Sequence, residues 1–276
     1  MLKLHNTHNQ LSTSNKLSVI VIVKNRQTHL ENTLRSLNTC SSNINEVVLV
    51  HMNQDIQPHL YNIAEEYSLI QYKLVIRDQD LPLAKARNIG AKLASSSILF
   101  FLDVDCIVES STCIEYIKAI RQNPSNIYMS KCLYLEKPAK DVFTIYKEEA
   151  YEHPKRTLDT YPRWQLFWSL SFCITKKLFN EIGCFDEGFL NYGGEDTELS
   201  YRNYLAGNKL IWVPSSVVYH QPHESNELPF HHIQSVISNV NYFYTKHGFY
   251  IMESWIEGFE ERGLILKQDN DLYKVL

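Results

Sequence analysis

The sequence lacks the features typical of membrane-spanning, disulfide-rich secreted and nucleic-acid-binding proteins. No apolar run approaches the roughly 20 residues that a membrane-spanning helix needs, and the segment from Met1 to Lys16 is polar, unlike a signal peptide. The six cysteines form no CxxC pair, which favours reduced, buried thiols. The net charge of −4 argues against nucleic acid as a partner. We therefore expect a cytoplasmic protein without a membrane span, and peripheral association with a membrane stays open.

Patterns typical of strands and of amphipathic helices alternate through the first half of the chain. Strands are predicted at 17–23, 46–50, 72–76 and 98–102, and helices at 28–37, 60–67, 83–93 and 112–120. Two of the helices begin with a capping-box pattern, Thr28-x-x-Glu31 and Thr112-x-x-Glu115. Such alternation is typical of βαβ units. The sequence therefore predicts an α/β fold with a mostly parallel central sheet flanked by helices.

The pattern loosens after residue 126 and becomes regular again toward the C-terminus. Later strands are predicted at 168–174, 209–213 and 217–219, a short helix is predicted from Thr175, and longer helices are predicted at 196–206, 233–247 and 251–259. We divide the chain into a flexible tail (1–15), a main domain (16–226) and a helical extension packed on that domain (227–276). A partner-docking surface is the alternative role of the last two helices.

The apolar run from Ile98 to Leu102 ends in two acids, Asp103 and Asp105. The run predicts a fully buried strand, in which residues two apart point to the same side. Buried carboxylates are costly unless positive charge meets them, and ligands bind at the carboxyl edge of parallel sheets. A divalent cation that carries a phosphorylated ligand is one interpretation of this pair. A solvated acidic turn is the other.

Three further stretches carry reactive side chains, and each also has a purely structural interpretation. Paired glycines before Glu195 and Asp196 predict a turn into a helix N-terminus, which suits a carboxylate base or simply an acid-capped helix. His220 follows a predicted strand and could join Asp105 in binding Mn²⁺ more readily than Mg²⁺, or be structural. Arg87 could offer its guanidinium to a diphosphate or lie on the surface.

These residues belong to a series of motifs in a fixed order. In chain order the motifs are Lys24-Asn25-Arg26-Gln27, Ala84-Lys85-x-x-Asn88-x-Gly90, Asp103-Val104-Asp105, Gly193-Gly194-Glu195-Asp196-Thr197-Glu198 and Tyr219-His220-Gln221. Together they resemble the family 2 glycosyltransferases of the GT-A fold. Within that group they resemble β-1,4-galactosyltransferases and the GalNAc-transferring domains of bacterial chondroitin-type polymerases. The resemblance covers about residues 18–227 and implies a Rossmann-like fold with a nucleotide-binding half (16–106) and an acceptor half (107–226).

The resemblance implies a role for each matching residue. Asp196 would be the catalytic base, and Asp105 and His220 would bind Mn²⁺, or alternatively Mg²⁺. The nucleotide sugar would contact Val23, Lys24, Arg26, His51, Arg87, Asp103 and Val104. The acceptor would contact Trp168, Tyr192, Gly194 and Glu195.

Two positions depart from the family pattern. Many members have an acid after the second strand that reads uracil, whereas this chain has Val50-His51-Met52-Asn53. His51 or Asn53 is left to hydrogen-bond a base, so uridine is implied by the resemblance alone. Tyr192 stands where galactosyltransferases have a tryptophan, which leaves the sugar preference open.

The predicted function is inverting, metal-dependent transfer of a hexose or N-acetylhexosamine (galactose, GalNAc or GlcNAc) from a UDP-sugar. The acceptor would be a sugar hydroxyl of a glycan in surface polysaccharide synthesis. A catalytically silent sugar-binding module is one alternative, because fold does not imply function. A nucleotidyltransferase is the other, although such enzymes usually have a glycine-rich phosphate loop where this chain has Lys24-Asn25-Arg26.

Overall fold

A mixed β-sheet runs through the part of the chain that the computed structural model describes, residues 16–53, 70–76, 81–139, 147–154, 163–223 and 228–276. Its strands are β1 (Leu17–Val23), β2 (Ile44–Met52), β3 (Ile70–Ile76), β4 (Ile98–Asp103), β5 (Cys106–Val108), β6 (Ile127–Tyr134), β7 (Tyr151–Glu152), β8 (Ser171–Thr175) and β9 (Leu210–His220). The helices around it are α1 (Gln27–Asn38), α2 (Leu83–Leu93), α3 (Thr112–Gln122), α4 (Lys176–Glu181) and α5 (Glu195–Leu205). The predicted tail (1–15) and the predicted helix at 60–67 lie outside the described residues.

The strand order is β3-β2-β1-β4-β8-β6-β9-β5, with β7 beside β6. The first four strands in this order are parallel, as the βαβ pattern predicts. β8 then runs antiparallel to both β4 and β6, and β5 runs antiparallel to β9. The change of direction therefore occurs at β8, next to β4, at whose carboxyl end the two acids lie.

Helices cover both faces of the parallel half. α1 and α3 pack on one face, with Leu34 and Ile117 in the same apolar cluster as Phe100 of β4. α2 packs on the other face, where it approaches β1 closely. A Cβ atom at Gly90 would lie only 2.5 Å from Ile20 Cγ2, so a glycine is required at this contact.

Several local predictions were wrong in detail. The capping boxes do not form: α1 begins one residue before Thr28, and no side chain caps it. The Thr112 hydroxyl instead donates to the Val217 carbonyl at 2.7 Å, which ties α3 to β9. The two strands predicted at 209–213 and 217–219 are one strand, β9, because the chain loops out at an irregularity and resumes its pairing with β6.

The C-terminal residues form the predicted helices α6 (Ile233–His247) and α7 (Glu253–Glu261). A hairpin of β10 (Ile265–Lys267) and β11 (Tyr273–Val275), which the sequence did not predict, follows them. These elements share an apolar cluster that includes Val236, Ile256 and Phe259. None of the described helices is long and apolar enough to cross a membrane.

Candidate functional site

A cleft of about 520 Å³ opens at the carboxyl ends of β1 and β4. Most of the residues predicted for the site line it. They are Lys24, Arg26, Arg87, Asp103, Val104, Asp105, Trp168, Tyr192, Gly194, Glu195 and Asp196. Residues that are far apart in the sequence therefore meet at one edge of the sheet, the edge where open α/β sheets bind ligands.

Two predicted nucleotide contacts, Val23 and His51, do not line the cleft. They are paired with each other across β1 and β2 and are fully buried in the sheet. Successive strand residues face opposite sides of a sheet, so their neighbours Ile22 and Met52 line the cleft instead. The predicted contact of His51 with a base therefore has no support in the geometry of the cleft.

Asp105 lies beside two histidines, and we call these three residues the metal cluster. His220 Nε2 is 3.6 Å from Asp105 Oδ1, and His223 Nε2 is 3.6 Å from Asp105 Oδ2. The ligand atoms of the three side chains all lie within 4.8 Å of one another. The antiparallel pairing of β5 with β9 places His220 opposite Cys106 and so creates this proximity. No role is predicted for His223 from the sequence, although the His220-x-x-His223 spacing could have indicated a second imidazole ligand.

The metal cluster fits a divalent cation. Asp105 Oδ1 is buried, and no hydrogen-bond donor within the described ranges reaches it. Burial lowers the pKa of His220 despite the nearby Asp105, which favours the neutral imidazole that binds metals. Two imidazoles and a carboxylate suit Mn²⁺ or a similar first-row ion.

Arg87 lies at the centre of a second group, the acid cluster, which comprises Arg87, Asp103, Glu195 and Asp196. The guanidinium is buried and contacts Glu195 at 2.9 Å and Asp103 at 3.2 Å. Burial raises the pKa of Asp103 to about 6 and that of Glu195 to about 7, although Arg87 opposes both shifts. Arg87 is therefore not the surface residue of the structural interpretation, and its side chain is committed to carboxylates.

Asp196 is held by the backbone at the start of α5. Its Oδ2 accepts a hydrogen bond from the Ser169 N–H at 3.2 Å, and its Oδ1 accepts one from the Thr197 N–H at 2.7 Å. We expected the helix N-terminus to favour the carboxylate form, but burial prevails and raises the pKa of Asp196. Gly193 and Gly194 have φ values of +95° and +92°, a left-handed conformation that explains the glycine pair before this residue.

The cleft also has an aromatic lining. Tyr192 and Trp168 line it as predicted, and Trp255 joins them from α7. The Tyr192 ring lies nearly parallel to the Trp255 ring, with centroids 6.2 Å apart. Trp255 belongs to a helix that is predicted to pack on the main domain, and no sequence motif marks it as a site residue.

Comparison with known proteins finds a matching family and several similar proteins. The family described as "Glycosyltransferase like family 2" matches residues 18–269. A validoxylamine A glucosyltransferase from Streptomyces hygroscopicus subsp. limoneus is 25% identical and aligns over 84% of this chain and 56% of its own length. A probable N-acetylgalactosaminyltransferase 7 from Caenorhabditis elegans is 28% identical over 74% of this chain and 38% of its own length. The chain thus spans little more than half of one curated relative and less of the other.

Two solved structures share the fold. The crystal structure of GalNAc-T7 with UDP, GalNAc and Mn²⁺ superimposes with a TM-score of 0.63 at 21% identity, and covers 91% of this chain and 55% of that protein. The structure of residues 1–349 of TarS from S. aureus superimposes with a TM-score of 0.52 at 18% identity, over 83% of this chain and 72% of that one. At these identities the likeness concerns the fold, and it confirms the predicted GT-A architecture.

Proposed function

The chain belongs to the glycosyltransferase like family 2, as the motifs predict, and on that premise we propose that it transfers a sugar from a UDP-sugar to a glycan hydroxyl. The observation that carries the proposal is that Asp105 of the metal cluster lines the same cleft as Asp196, a carboxylate fixed at a helix N-terminus. A silent sugar-binding module would be expected to lack Asp196 or the metal acids, and a nucleotidyltransferase usually has a glycine-rich phosphate loop where this chain has Lys24-Asn25-Arg26.

Asp105, His220 and His223 would hold the cation of this enzyme. We propose Mn²⁺, because two imidazoles beside one carboxylate suit that ion better than Mg²⁺. When bound, the ion supplies Lewis-acid stabilisation of the negative charge that develops on the diphosphate. Lys24 and Arg26 also line the cleft, and Arg26 lies 3.3 Å from Asp105 Oδ2, so both would add positive charge near the phosphates.

Asp196 is the proposed base, which takes the proton from the acceptor hydroxyl as the oxygen attacks the anomeric carbon. The hydrogen bonds from Ser169 and Thr197 orient its carboxylate. Its raised pKa increases its affinity for a proton, while the charge of Arg87 favours the carboxylate form that accepts the proton. Direct attack of this kind inverts the anomeric configuration, which the family resemblance also implies.

The donor and the setting complete the proposal. We propose a hexose or N-acetylhexosamine donor, since the named relatives are a glucosyltransferase and N-acetylgalactosaminyltransferases. GalNAc-T7 was solved with UDP and Mn²⁺, which supports this donor class and this cofactor. Surface polysaccharide synthesis in the cytoplasm is the proposed role, and it follows from the family resemblance.

Release of UDP from a panel of donors tests the proposal. UDP-glucose, UDP-galactose, UDP-GlcNAc and UDP-GalNAc are each incubated with the protein, with and without Mn²⁺. We expect slow, Mn²⁺-dependent hydrolysis of one preferred donor. Asp196→Asn should lower this rate by about 10²- to 10⁴-fold while calorimetry still detects Mn²⁺-dependent binding of UDP.

The matched control is Asp269→Asn, which changes an exposed acid in the turn between β10 and β11 and should hydrolyse the donor at the wild-type rate. Full turnover by Asp196→Asn would remove this residue from the mechanism. UDP binding without release of UDP from any donor would favour the silent sugar-binding module.

A further inference from the structure

The C-terminal extension supplies one wall of the cleft. Met252, Ser254 and Trp255 line it alongside residues of the main sheet. Met252 adopts a left-handed conformation with φ of 58°, which is costly for a residue with a side chain. This turn starts α7, and the Trp255 N–H donates to the Met252 carbonyl at 2.9 Å. The backbone strain thus lies where the chain turns Trp255 toward the cleft.

Trp255 packs on the loop that leads to the proposed base. Its Cζ3 atom is 3.7 Å from the position that a Cβ would occupy at Gly193. Its ring and the Tyr192 ring are inclined by only 20°, and the Tyr192 ring stacks on His232 with centroids 4.5 Å apart. We call these three rings the aromatic wall. Trp255 and Tyr192 line the cleft, and His232 stacks on Tyr192.

Asn239 of α6 hydrogen-bonds to the backbone of the loop that carries Tyr192 and Gly193. Its side-chain amide donates to the carbonyls of Gly193 at 2.7 Å and Leu190 at 2.9 Å, and accepts from the Leu190 N–H at 3.1 Å. Asn239 is fully buried, so these hydrogen bonds are shielded from water. The wall is therefore preorganised relative to Glu195 and Asp196, which follow the loop directly.

The chemistry of the wall selects a class of ligand. A partly buried indole beside a phenol offers a flat apolar face, which matches the C–H face of a pyranose ring. The acid cluster has three carboxyl groups and one guanidinium, and in the cleft as a whole four carboxyl groups face three cationic side chains, so negative charge is in excess by one. Burial and then the nearby carboxylates of Glu195, Asp196 and Asp103 raise the pKa of Tyr192 to about 12. An anionic sugar would be repelled here.

We propose that the aromatic wall binds the acceptor through one face of a neutral pyranose ring, with Trp255 as the main contact. That the bound sugar is the acceptor rests on the proposed function; that the wall binds a neutral sugar does not. Trp255 would thereby determine acceptor specificity from a part of the chain that carries none of the family motifs.

Saturation-transfer NMR with simple glycosides tests this inference in the presence of UDP and Mn²⁺. Methyl β-D-glucopyranoside, methyl β-D-galactopyranoside and methyl β-D-glucuronide are the probes, and the first and third differ by the carboxylate at C6. Wild-type protein should transfer saturation to the ring C–H protons of a neutral glycoside, and bind the glucuronide about tenfold more weakly. Trp255→Ala should weaken binding of the neutral glycoside about tenfold, and Trp255→Phe should restore most of it.

The control variant is Tyr204→Ala, which removes a 58% exposed aromatic ring of α5 outside the cleft and should bind like wild type. Thermal unfolding checks the fold of each variant, and the comparison of glucoside with glucuronide needs no variant at all. Equal binding by Trp255→Ala, equal binding of the glucuronide, or no binding of any neutral glycoside to wild type would overturn the inference.

Two measurements, Mn²⁺-dependent binding of UDP and release of UDP from a donor, separate this inference from the proposed function. Neutral glycosides that bind through Trp255 to a protein with no Mn²⁺-dependent binding of UDP would uphold the wall as a sugar site and refute the glycosyltransferase proposal. Normal UDP release from a protein whose glycoside binding ignores Trp255 would refute the wall alone.

Discussion

The metal cluster and the acid cluster both contain carboxylates, but the negative charge of these carboxylates is balanced in different ways. Asp103 and Asp105 are two residues apart, yet Asp103 pairs with the buried Arg87 whereas Asp105 faces two imidazoles. The partly exposed guanidinium of Arg26 also lies near Asp105, 3.3 Å from its Oδ2. The acid cluster therefore contains its own counter-charge. The metal cluster leaves a buried oxygen for a cation from outside the chain.

A turn between the two acids creates this difference. β4 ends at Asp103, and the Thr33 hydroxyl of α1 donates to the Val104 carbonyl at 2.8 Å. The Asp105 carbonyl then accepts from the Gln221 N–H at 2.8 Å, which draws the loop after β9 toward this turn. The carboxylates consequently enter the cleft beside different partners.

Removal of the internal counter-charge should produce the largest effect. Arg87→Met leaves the buried Glu195 and the partly buried Asp103 without their cation, and breaking a buried pair in this way costs about 3–5 kcal/mol. We therefore expect the free energy of unfolding at pH 8, measured with urea, to fall by about that amount. The loss should be smaller at pH 5, where the two carboxyl groups are protonated.

Arg35→Met is the matched control, because Arg35 forms a partly exposed pair with Glu31 one helical turn away at 2.9 Å. This variant should lose at most about 0.5 kcal/mol. Similar losses from Arg87→Met and Arg35→Met would show that the acid cluster does not depend on its arginine.

Exchange of one acid at a time should separate the clusters by metal affinity. Asp105→Asn should weaken Mn²⁺ binding at least about hundredfold, since it removes a ligand and its charge. Asp103→Asn should change the affinity by less than about threefold, because Arg87 holds Asp103 and the histidines do not contact it. Electron paramagnetic resonance of free Mn²⁺ measures both. Equal losses in the two variants would contradict the division between clusters.

The architecture of the cleft could be predicted from sequence because its parts follow local rules. The run before Asp103 is apolar and contiguous, and the carboxyl edge of a parallel sheet is a general ligand site. The turn before Glu195 requires a left-handed backbone conformation, which glycine adopts far more readily than other residues. These features depend on a few neighbouring residues, so the sequence carries them.

The partners of each acid could not be predicted in the same way. Arg87 finds Glu195 only through tertiary packing, 108 residues away. Trp255 reaches the cleft because α7 folds back over the loop at Gly193, a contact with no periodic signal. The nucleotide contact of His51 stays a prediction, although its buried side chain is not among the residues that line the cleft. The face that a strand residue presents depends on the register of its strand, which the sequence does not fix at this position.

Titration of the acid cluster should produce the smallest effect. Burial raises the pKa of Glu195 from an ordinary value of 4.5 to about 7, so the folded state holds a proton that the unfolded chain has already lost in this range. The stability that this proton contributes is fully present below about pH 4.5 and is lost as the pH rises through about 7. Glu198 has the opposite sign: burial opposes the change, but hydrogen bonds from Arg202 and Lys246 lower its pKa.

Comparison of wild type with Glu195→Gln isolates this contribution, because the opposing contribution of Glu198 is common to both proteins. Glutamine mimics the protonated acid at every pH. Wild type should therefore lose on the order of 1 kcal/mol more stability than Glu195→Gln between pH 5 and pH 8, as measured by urea unfolding at each pH. Glu257→Gln, which changes an exposed glutamate of α7, should follow the wild-type profile. Parallel profiles for wild type and Glu195→Gln would mean that the pKa of Glu195 is not raised, because Arg87 offsets the burial of this carboxylate fully.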